Sequence, residues 1–382
     1  MESVSNNGAS RLAKDDRAKQ LLKKLEEGIE HLTTTEGYED WLRSQALFHN
    51  YSWGNSLIIA AEQLQRGVPP EHVAGFHKWH EFDRRVRAGG KAIWILGPVT
   101  RKVVETDEET GEKVISHPLV GWKSVPVFTL SDTDGKPLPE SPCHLLVGES
   151  NQAAQAAVVA LIEREGYSFA ISPATALGGA NGVTTKETRE VKVRDDISPL
   201  MTCKTSLHEL AHIKLGHLDQ LGTSEPICRG EAELQAESVA FCAMAALGLD
   251  SGDYSFGYLV HWQGGGDEAV KALKANAAKI AGVSNLVISE LEAAGQEAHL
   301  QALQGAWEAA SDQERALANR NLQPRLEAHK KAGIELDGYQ LAELRAQSLL
   351  TLQVRSQERQ EDDRAVRQMS QVAHVSAPAQ AH

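Results

Sequence analysis

The stretch Ser198–His217, SPLMTCKTSLHELAHIKLGH, decides how the rest of the chain is read. Ser198 offers a hydroxyl to cap a helix, Pro199 suits a first turn that needs no backbone donor, and Gly216 suits a helix end, so the pattern predicts a helix between them. At its centre stands His208-Glu209-Leu210-Ala211-His212. A helix turns about 100° per residue, so positions four apart lie about 40° from each other and both imidazoles face one point. That is the geometry two metal ligands need. Glu209 follows the first histidine, within reach of a water at the metal without being a ligand, where the general base of a zinc peptidase belongs.

A tetrahedral catalytic site needs a third protein ligand and one open position. Arg229–Leu247, RGEAELQAESVAFCAMAAL, reads as a second helix, with Ser224 and Pro226 before it and Gly248 after it. Glu233, Glu237, Ala240, Phe241 and Met244 share one face, and carboxylates on an apolar stripe cost free energy unless a metal or a strong partner takes them. Glu233 is therefore the expected third ligand. Glu237, one turn on, is the expected acceptor for an imidazole N–H of a ligand histidine, and Glu231, offset from that face, is expected in solvent. The expected cofactor is Zn2+, with Mn2+ or another divalent ion open, because a site of two histidines and a carboxylate accepts several. A competing third ligand is His217, which would point roughly 140° away from His212 on a continued helix; a helix-end histidine is the other reading of it. The bland alternative, two surface histidines at helical spacing, has against it the cap, the apolar helix and the ExxxE pair that follows.

These residues also carry a resemblance. HELAHIKLGH followed by ELQAESVAF resembles the metallopeptidase domain shared by the ImmA/IrrE peptidases and the ArdC-type antirestriction proteins, over about Gln152 to Leu249. Where such relatives often have Asn or Asp in the second-helix pattern, this chain has Glu237.

The balance of 39 Lys and Arg against 52 Asp and Glu, a net charge of −13 over 382 residues, argues against a uniformly basic nucleic-acid binder and leaves room for a local basic patch. Cys143, Cys203, Cys228 and Cys242 form no CxxC pair, which fits a reducing cytoplasm rather than a disulfide framework. With no apolar leader and no apolar run of spanning length, the expectation is a cytoplasmic protein with no membrane partner.

Such a patch occurs between Phe76 and Lys102. Lys78, Arg84, Arg85, Arg87, Lys91, Arg101 and Lys102 outnumber Glu81 and Asp83, and Phe76, Trp79 and Trp94 are interleaved with them. Cations along a groove with aromatic faces for unstacked bases would suit single-stranded nucleic acid; core aromatics and a solvated basic hairpin are the competing reading. YSWGNSLIIAAEQ, then VAGFHKWHEFDRRVRAGGKAIWILGPV, resembles the N-terminal single-stranded-DNA-binding (ssDNA-binding) domain of ArdC-type antirestriction proteins over about Leu21 to Val147. The resemblance implies ssDNA as a partner, with Tyr51, Ser52, Asn55, Trp79, Arg84, Arg85, Arg87 and Lys91 as the matching positions to test. Asn55 is alternatively a structural amide.

Elsewhere the pattern predicts helices at Arg11–Leu32, Tyr38–Phe48 and after Ser52, a strand at Ala92–Leu96, and a hairpin or meander over Val103–Leu130. Ser131–Cys143 reads as a surface linker. A helix at Gln152–Glu165, a strand at Tyr167–Ile171 and a hairpin of Ala180–Thr184 with Glu190–Val193 lead into the HExxH helix, and Val191-Lys192-Val193 reads either as the sheet edge for an added peptide strand or, equally, as an ordinary core strand. Tyr258 is a candidate oxyanion donor, with a packing tyrosine as the competing reading and His261 as a second candidate. An Ala-rich helix at Asp267–Ala294 precedes a helical stretch to Ser370 and a disordered tail.

The expected fold class is α+β in two domains: 11–147, helix plus antiparallel sheet, and 151–294, zincin-like. A helical extension, 295–370, and a tail, 371–382, follow. The expected function joins ssDNA binding to a zinc-dependent peptidase acting on an unidentified protein or peptide. By resemblance, the role is antirestriction or protection of incoming single strands by a mobile element. The alternatives are an ImmA/IrrE-like regulatory peptidase that cleaves a repressor, and a non-catalytic ssDNA-coating protein with structural zinc.

Overall fold

The computed structural model describes residues 17–25, 32, 34–106, 113–138, 141–147, 151–220, 227–249, 267–331 and 333–352. Tyr258, His261, Ser224, Pro226 and the tail lie outside these residues, as do the ends of the first predicted helix and of the C-terminal helical stretch. Two compact units divide the chain, Met1–Ala294 and Gly295–His382. The class is mixed α+β, with antiparallel sheets towards the N-terminus and helices towards the C-terminus.

In the first unit, α1 (residues 17–25) buries Ala18 and Leu21 against Ile58 and Leu96. Side-chain caps start the next two helices where the sequence places them. The Thr34 hydroxyl accepts from Gly37 N–H at the head of α2, Thr35–Leu47, and Ser52 accepts from Asn55 N–H at the head of α3, Trp53–Gln65. β1 (Val73–Ala74), α4 (Phe76–Glu81), β2 (Arg84–Val86) and β3 (Ile93–Thr100) follow. Then come β4 (Val103–Thr106), β5 (Lys113–Ser116), the long β6 (Leu119–Thr129) and β7 (Thr133–Gly135). β6 pairs antiparallel with β1 and β3, β2 with β7, and β4 with β5. Alternation along β3 sends Ile93 and Ile95 to a core with Phe48, Ile59, Val73 and Val127, and sends Leu96 to Ile58 on the other side.

The segment read as a linker is structured. β7 pairs with β2, and the 3-10 turn Pro142–Leu146 buries Cys143 and Leu146 in the main core. Its Asp, Gly, Pro and Ser content hid this because β7 spans three residues and pairs with a strand distant in sequence.

α5 (Gln152–Arg164) and β8 (Ser168–Ser172) lead to β9 (Gly182–Thr185) and β10 (Glu190–Arg194), then to α6 (Pro199–Lys214) and α7 (Arg229–Ala246). The strand order is β8-β10-β9, with β8 parallel and β9 antiparallel to β10. Val191-Lys192-Val193 is thus the centre of the sheet rather than its edge; Val191 and Val193 are fully buried, and both sides of β10 are spent on pairing. The edge beside α6 is β9.

α2 packs against α7, and Tyr38, Trp41 and Leu42 share one core with Leu207, Leu210, Val239 and Met244. Ser238 donates to Leu234 O at 2.7 Å, so the Tyr38 hydroxyl donates to Ser238 Oγ at 3.0 Å. α8, Asp267–Ala309, runs past the predicted end at Ala294, and its Leu273, Ile280, Ile288 and Leu291 join this core. In the second unit, α9 (Asp312–Lys331) and α10 (residues 338–352) bury Ala318, Leu322, Leu344 and Leu349. No helix among the described residues is long and apolar enough to cross a membrane.

Candidate metal centre

Ser198 caps α6 by accepting from Met201 N–H at 3.2 Å, and Gly216, at φ +70, turns the chain out of the helix. Between these ends, α6 presents His208 and His212 to Glu233 of the neighbouring α7. His208 Nε2 lies 3.1 Å from His212 Nε2 and 3.2 Å from Glu233 Oε2, and His212 Nε2 lies 3.8 Å from the same oxygen. Ligand atoms on a tetrahedron with bonds of ~2.0–2.1 Å stand about 3.3 Å apart. The three separations bracket that value, so the triad fits a divalent cation without rearrangement.

The partners of these groups agree with that fit. His208 Nδ1 donates to Glu237 Oε2 at 3.1 Å, which directs the Nε2 lone pair of the neutral ring at Glu233. Two electron pairs facing each other at this range require a cation between them. In the metal-free centre a proton fills the role. Burial alone would lower the His208 pKa, but hydrogen bonds to Glu233 and Glu237 outweigh it and raise it to about 9. The hydrogen bond from His208, with the His212 ring close by, holds the Glu233 carboxyl well below the usual carboxylate range.

Glu237 sits where the face pattern of α7 puts it, and it has a second partner. Lys204 Nζ, one turn before His208 on α6, lies 3.0 Å from Glu237 Oε1. Burial would raise the Glu237 carboxyl, but the His208 and Lys204 contacts bring it below its usual value. His217, the competing third ligand, opens the 3-10 turn after α6 and is 4% exposed; its Nδ1 lies 2.9 Å from His212 Nδ1 and its Nε2 lies 2.9 Å from Gln235 Oε1. Burial chiefly lowers its pKa to about 4. Glu231, expected in solvent, is partly buried and accepts from Asn276 Nδ2 at 3.0 Å and Gln235 Nε2 at 3.3 Å.

Glu209 is 7% exposed, and its Oε2 accepts from the Thr184 hydroxyl at 2.6 Å. β9 passes so close that a Cβ on Gly182 would lie 2.6 Å from Thr205 Cγ2 and 2.7 Å from Glu209 Oε1, so the strand needs glycine there. β9, Glu209 and the triad line a cleft of about 890 Å³. Glycine in a strand was the sequence signal for Gly182; Thr184, Lys204 and Gln235 gave none, since their roles arise only when distant segments meet.

The positions matched to DNA binding divide into two groups. Trp79 is 1% exposed and donates from Nε1 to Phe128 O at 3.0 Å, so its ring is a core element with no face for a base. Arg84 is buried, donating to Thr133 Oγ1 and O and to Lys136 O, which holds β2 to the chain around β7. Asn55 gives a hydrogen bond to Leu96 O and takes one from Leu96 N–H, each 2.9 Å, which is the structural-amide role. Tyr51 donates to Val73 O, and Ser52 caps α3. Arg85, Arg87 and Lys91 are exposed, with Arg87 Nε 3.9 Å from Asp134. Among the aromatics, Phe76 is exposed and Trp94 lies under the Arg17 guanidinium at 4.0 Å. Trp122 on β6, which the sequence reading passed over, is 42% exposed and stands opposite Pro98 of β3.

Fold and site together define an α+β protein with two histidines and a glutamate converging from two packed helices. Residues 13–128 match the family of the N-terminal domain of anti-restriction factor ArdC. No curated protein matches the chain. Two crystal structures of the antirestriction protein ArdC from plasmid R388 are similar at 17% identity. The metal-free one has a TM-score of 0.40 over 64% of this chain and 85% of that chain. The Mn(II)-bound one has a TM-score of 0.39 over 63% and 84%.

Proposed function

We propose that this protein acts in antirestriction, binding ssDNA through its first 147 residues and hydrolysing peptide bonds at a divalent metal centre held by His208, His212 and Glu233. The observation that carries the chemistry is the convergence of three ligand atoms beside a buried carboxylate, Glu209, in one cleft. The match to the family of the ArdC N-terminal domain supports the antirestriction role. The metal is Zn2+ or Mn2+; the triad suits both.

Bound there, the cation would supply Lewis acidity, polarising a carbonyl and acidifying water. Glu209 takes the proton at a carboxylate oxygen and returns it to the leaving amine, while Thr184 holds the carboxylate in place. A substrate peptide adds as a strand along β9, the edge next to Glu209, rather than along β10. Arg85, Arg87 and Lys91 supply charge to the DNA backbone, and Trp122 supplies a stacking face.

The burial of Glu209 favours a second reading, in which the cation is structural and the function is ssDNA coating; Glu209→Gln would then leave protection of DNA intact. Fluorescence anisotropy with labelled single- and double-stranded oligonucleotides tests the DNA half. Wild type should prefer the single strand, and Arg85→Ala/Arg87→Ala should flatten the log K against log salt slope by about 1.4, from ~0.7 per phosphate contact. Absence of ssDNA binding would overturn it. Peptide-library digestion by wild type and Glu209→Gln, both metal-loaded, tests the other half; identical product profiles would overturn the peptidase.

A further inference from the structure

Behind the triad, starting at His212, runs a buried chain of polar groups that coordination does not use: His217, Gln235 and Asn276. We infer that His217 is a positioning residue for the metal centre, which holds His212 in the tautomer whose Nε2 lone pair faces the cation. The inference rests on the metal-centre reading above and adds to it the device that orients the second histidine.

The direction of each hydrogen bond follows from its far end. Asn276 Nδ2 donates to Ala272 O at 2.9 Å and to Glu231 Oε1 at 3.0 Å, so its Oδ1 is the acceptor facing Gln235, whose Nε2 donates to it at 2.5 Å. Gln235 Oε1 is therefore turned to His217, and an amide oxygen only accepts. His217 must donate from Nε2, at 2.9 Å. A neutral imidazole with its hydrogen on Nε2 has a lone pair on Nδ1, and that atom lies 2.9 Å from His212 Nδ1. Two nitrogens at this distance need one hydrogen between them, and only His212 is left to give it. His212 thus carries its hydrogen on Nδ1, and Nε2, which lies 3.1 Å from His208 Nε2, keeps its lone pair.

The two ligand histidines are consequently oriented by different chemistry. His208 donates to a carboxylate, Glu237, whose negative charge makes the ring a stronger donor to a metal. His212 donates to a neutral ring, which fixes the tautomer without adding charge to a centre already holding Glu233. His217, Gln235 and Asn276 are all buried, so water cannot readily replace these bonds.

The test pairs metal affinity, measured by chelator competition with Mn2+ and with Zn2+, with 15N–1H spectra of the metal-free, histidine-labelled full chain. His217→Ala should weaken affinity about 10–100-fold. His217→Asn, which returns an acceptor oxygen near the Nδ1 position, should recover most of it. The His212 ring in metal-free wild type should show its proton on Nδ1, and the His217→Ala ring should shift towards the Nε2–H form. Urea unfolding of each variant identifies any that fails to fold, in which case the wild-type spectrum and the Asn variant decide. Tight metal binding by wild type with unchanged affinity in folded His217→Ala would overturn this inference alone. An Nε2–H tautomer of His212 in wild type would overturn it as well. Wild type that binds neither metal would overturn the metal-centre reading, and this inference with it.

Discussion

Replacing Gly182 by alanine tests how the cleft is built. The added methyl would meet Thr205 Cγ2 at 2.6 Å, Glu209 Oε1 at 2.7 Å and Glu209 Cγ at 3.0 Å. Reaching an ordinary carbon–carbon contact of ~3.5 Å from the 2.6 Å at Thr205 needs about 0.9 Å of movement. Thr205 is β-branched on a buried helix, with few rotamers open to it. Glu209 is the more flexible neighbour, but the bond from Thr184 opposes its retreat. The remaining relief is for β9 to lift from α6, at the expense of its pairing with β10. Overpacking of this kind costs about 1–3 kcal/mol. Urea unfolding of the metal-free protein should show the loss as a lower midpoint at unchanged slope, and metal affinity should stay at the wild-type level because no ligand atom is touched. A Gly182→Ala protein as stable as wild type would refute the close approach of β9 to Glu209.

Metal uptake should depend on pH with a known sign. The His208 pKa is raised to about 9, so below that pH the metal must displace a proton, and apparent affinity should rise about tenfold per pH unit between pH 6.5 and 8.5; a flat profile in chelator competition would count against the His208 contacts. In the metal-free protein the same raised pKa contributes stability that is complete below 6.5 and lost as pH climbs through about 9, visible in the urea midpoint. Asn55→Ala removes both bonds to Leu96 and leaves its backbone groups unpaired, a loss of about 1–3 kcal/mol; an unchanged midpoint would contradict the clamp. Trp79→Ala should cost about 3–5 kcal/mol as a core truncation, and a stable variant with weakened ssDNA binding would return Trp79 to the DNA surface.

What was legible in the sequence was local. Ser198, Pro199 and Gly216 mark the ends of α6 because capping and chain reversal involve only neighbouring residues, and the Nε2 convergence follows from helical spacing alone. The carboxylate face of α7 was equally readable as two charges on an apolar stripe. The misreadings concern pairing between distant segments. Nothing local distinguishes β10 as a central strand from an edge strand, and nothing in the glycine- and proline-rich run after Leu130 announces that β7 will pair with β2. Trp79 and Arg84 sit among exposed cations in sequence, yet the turn at Asp83, with φ +55, and the β2–β7 pair carry them inward while Arg85 stays outside. His217 was weighed only as a ligand or a helix-end charge, because its actual partner, Gln235, lies on another helix.

The metal centre proposed above holds one divalent cation at His208, His212 and Glu233. Metal content per chain, by elemental analysis of desalted protein after loading with Mn2+ or Zn2+, tests it directly on wild type and on the folded His208→Ala/His212→Ala variant. One ion per chain is expected in wild type and none in the variant. A wild type that retains no metal, or a variant that retains as much, would contradict it.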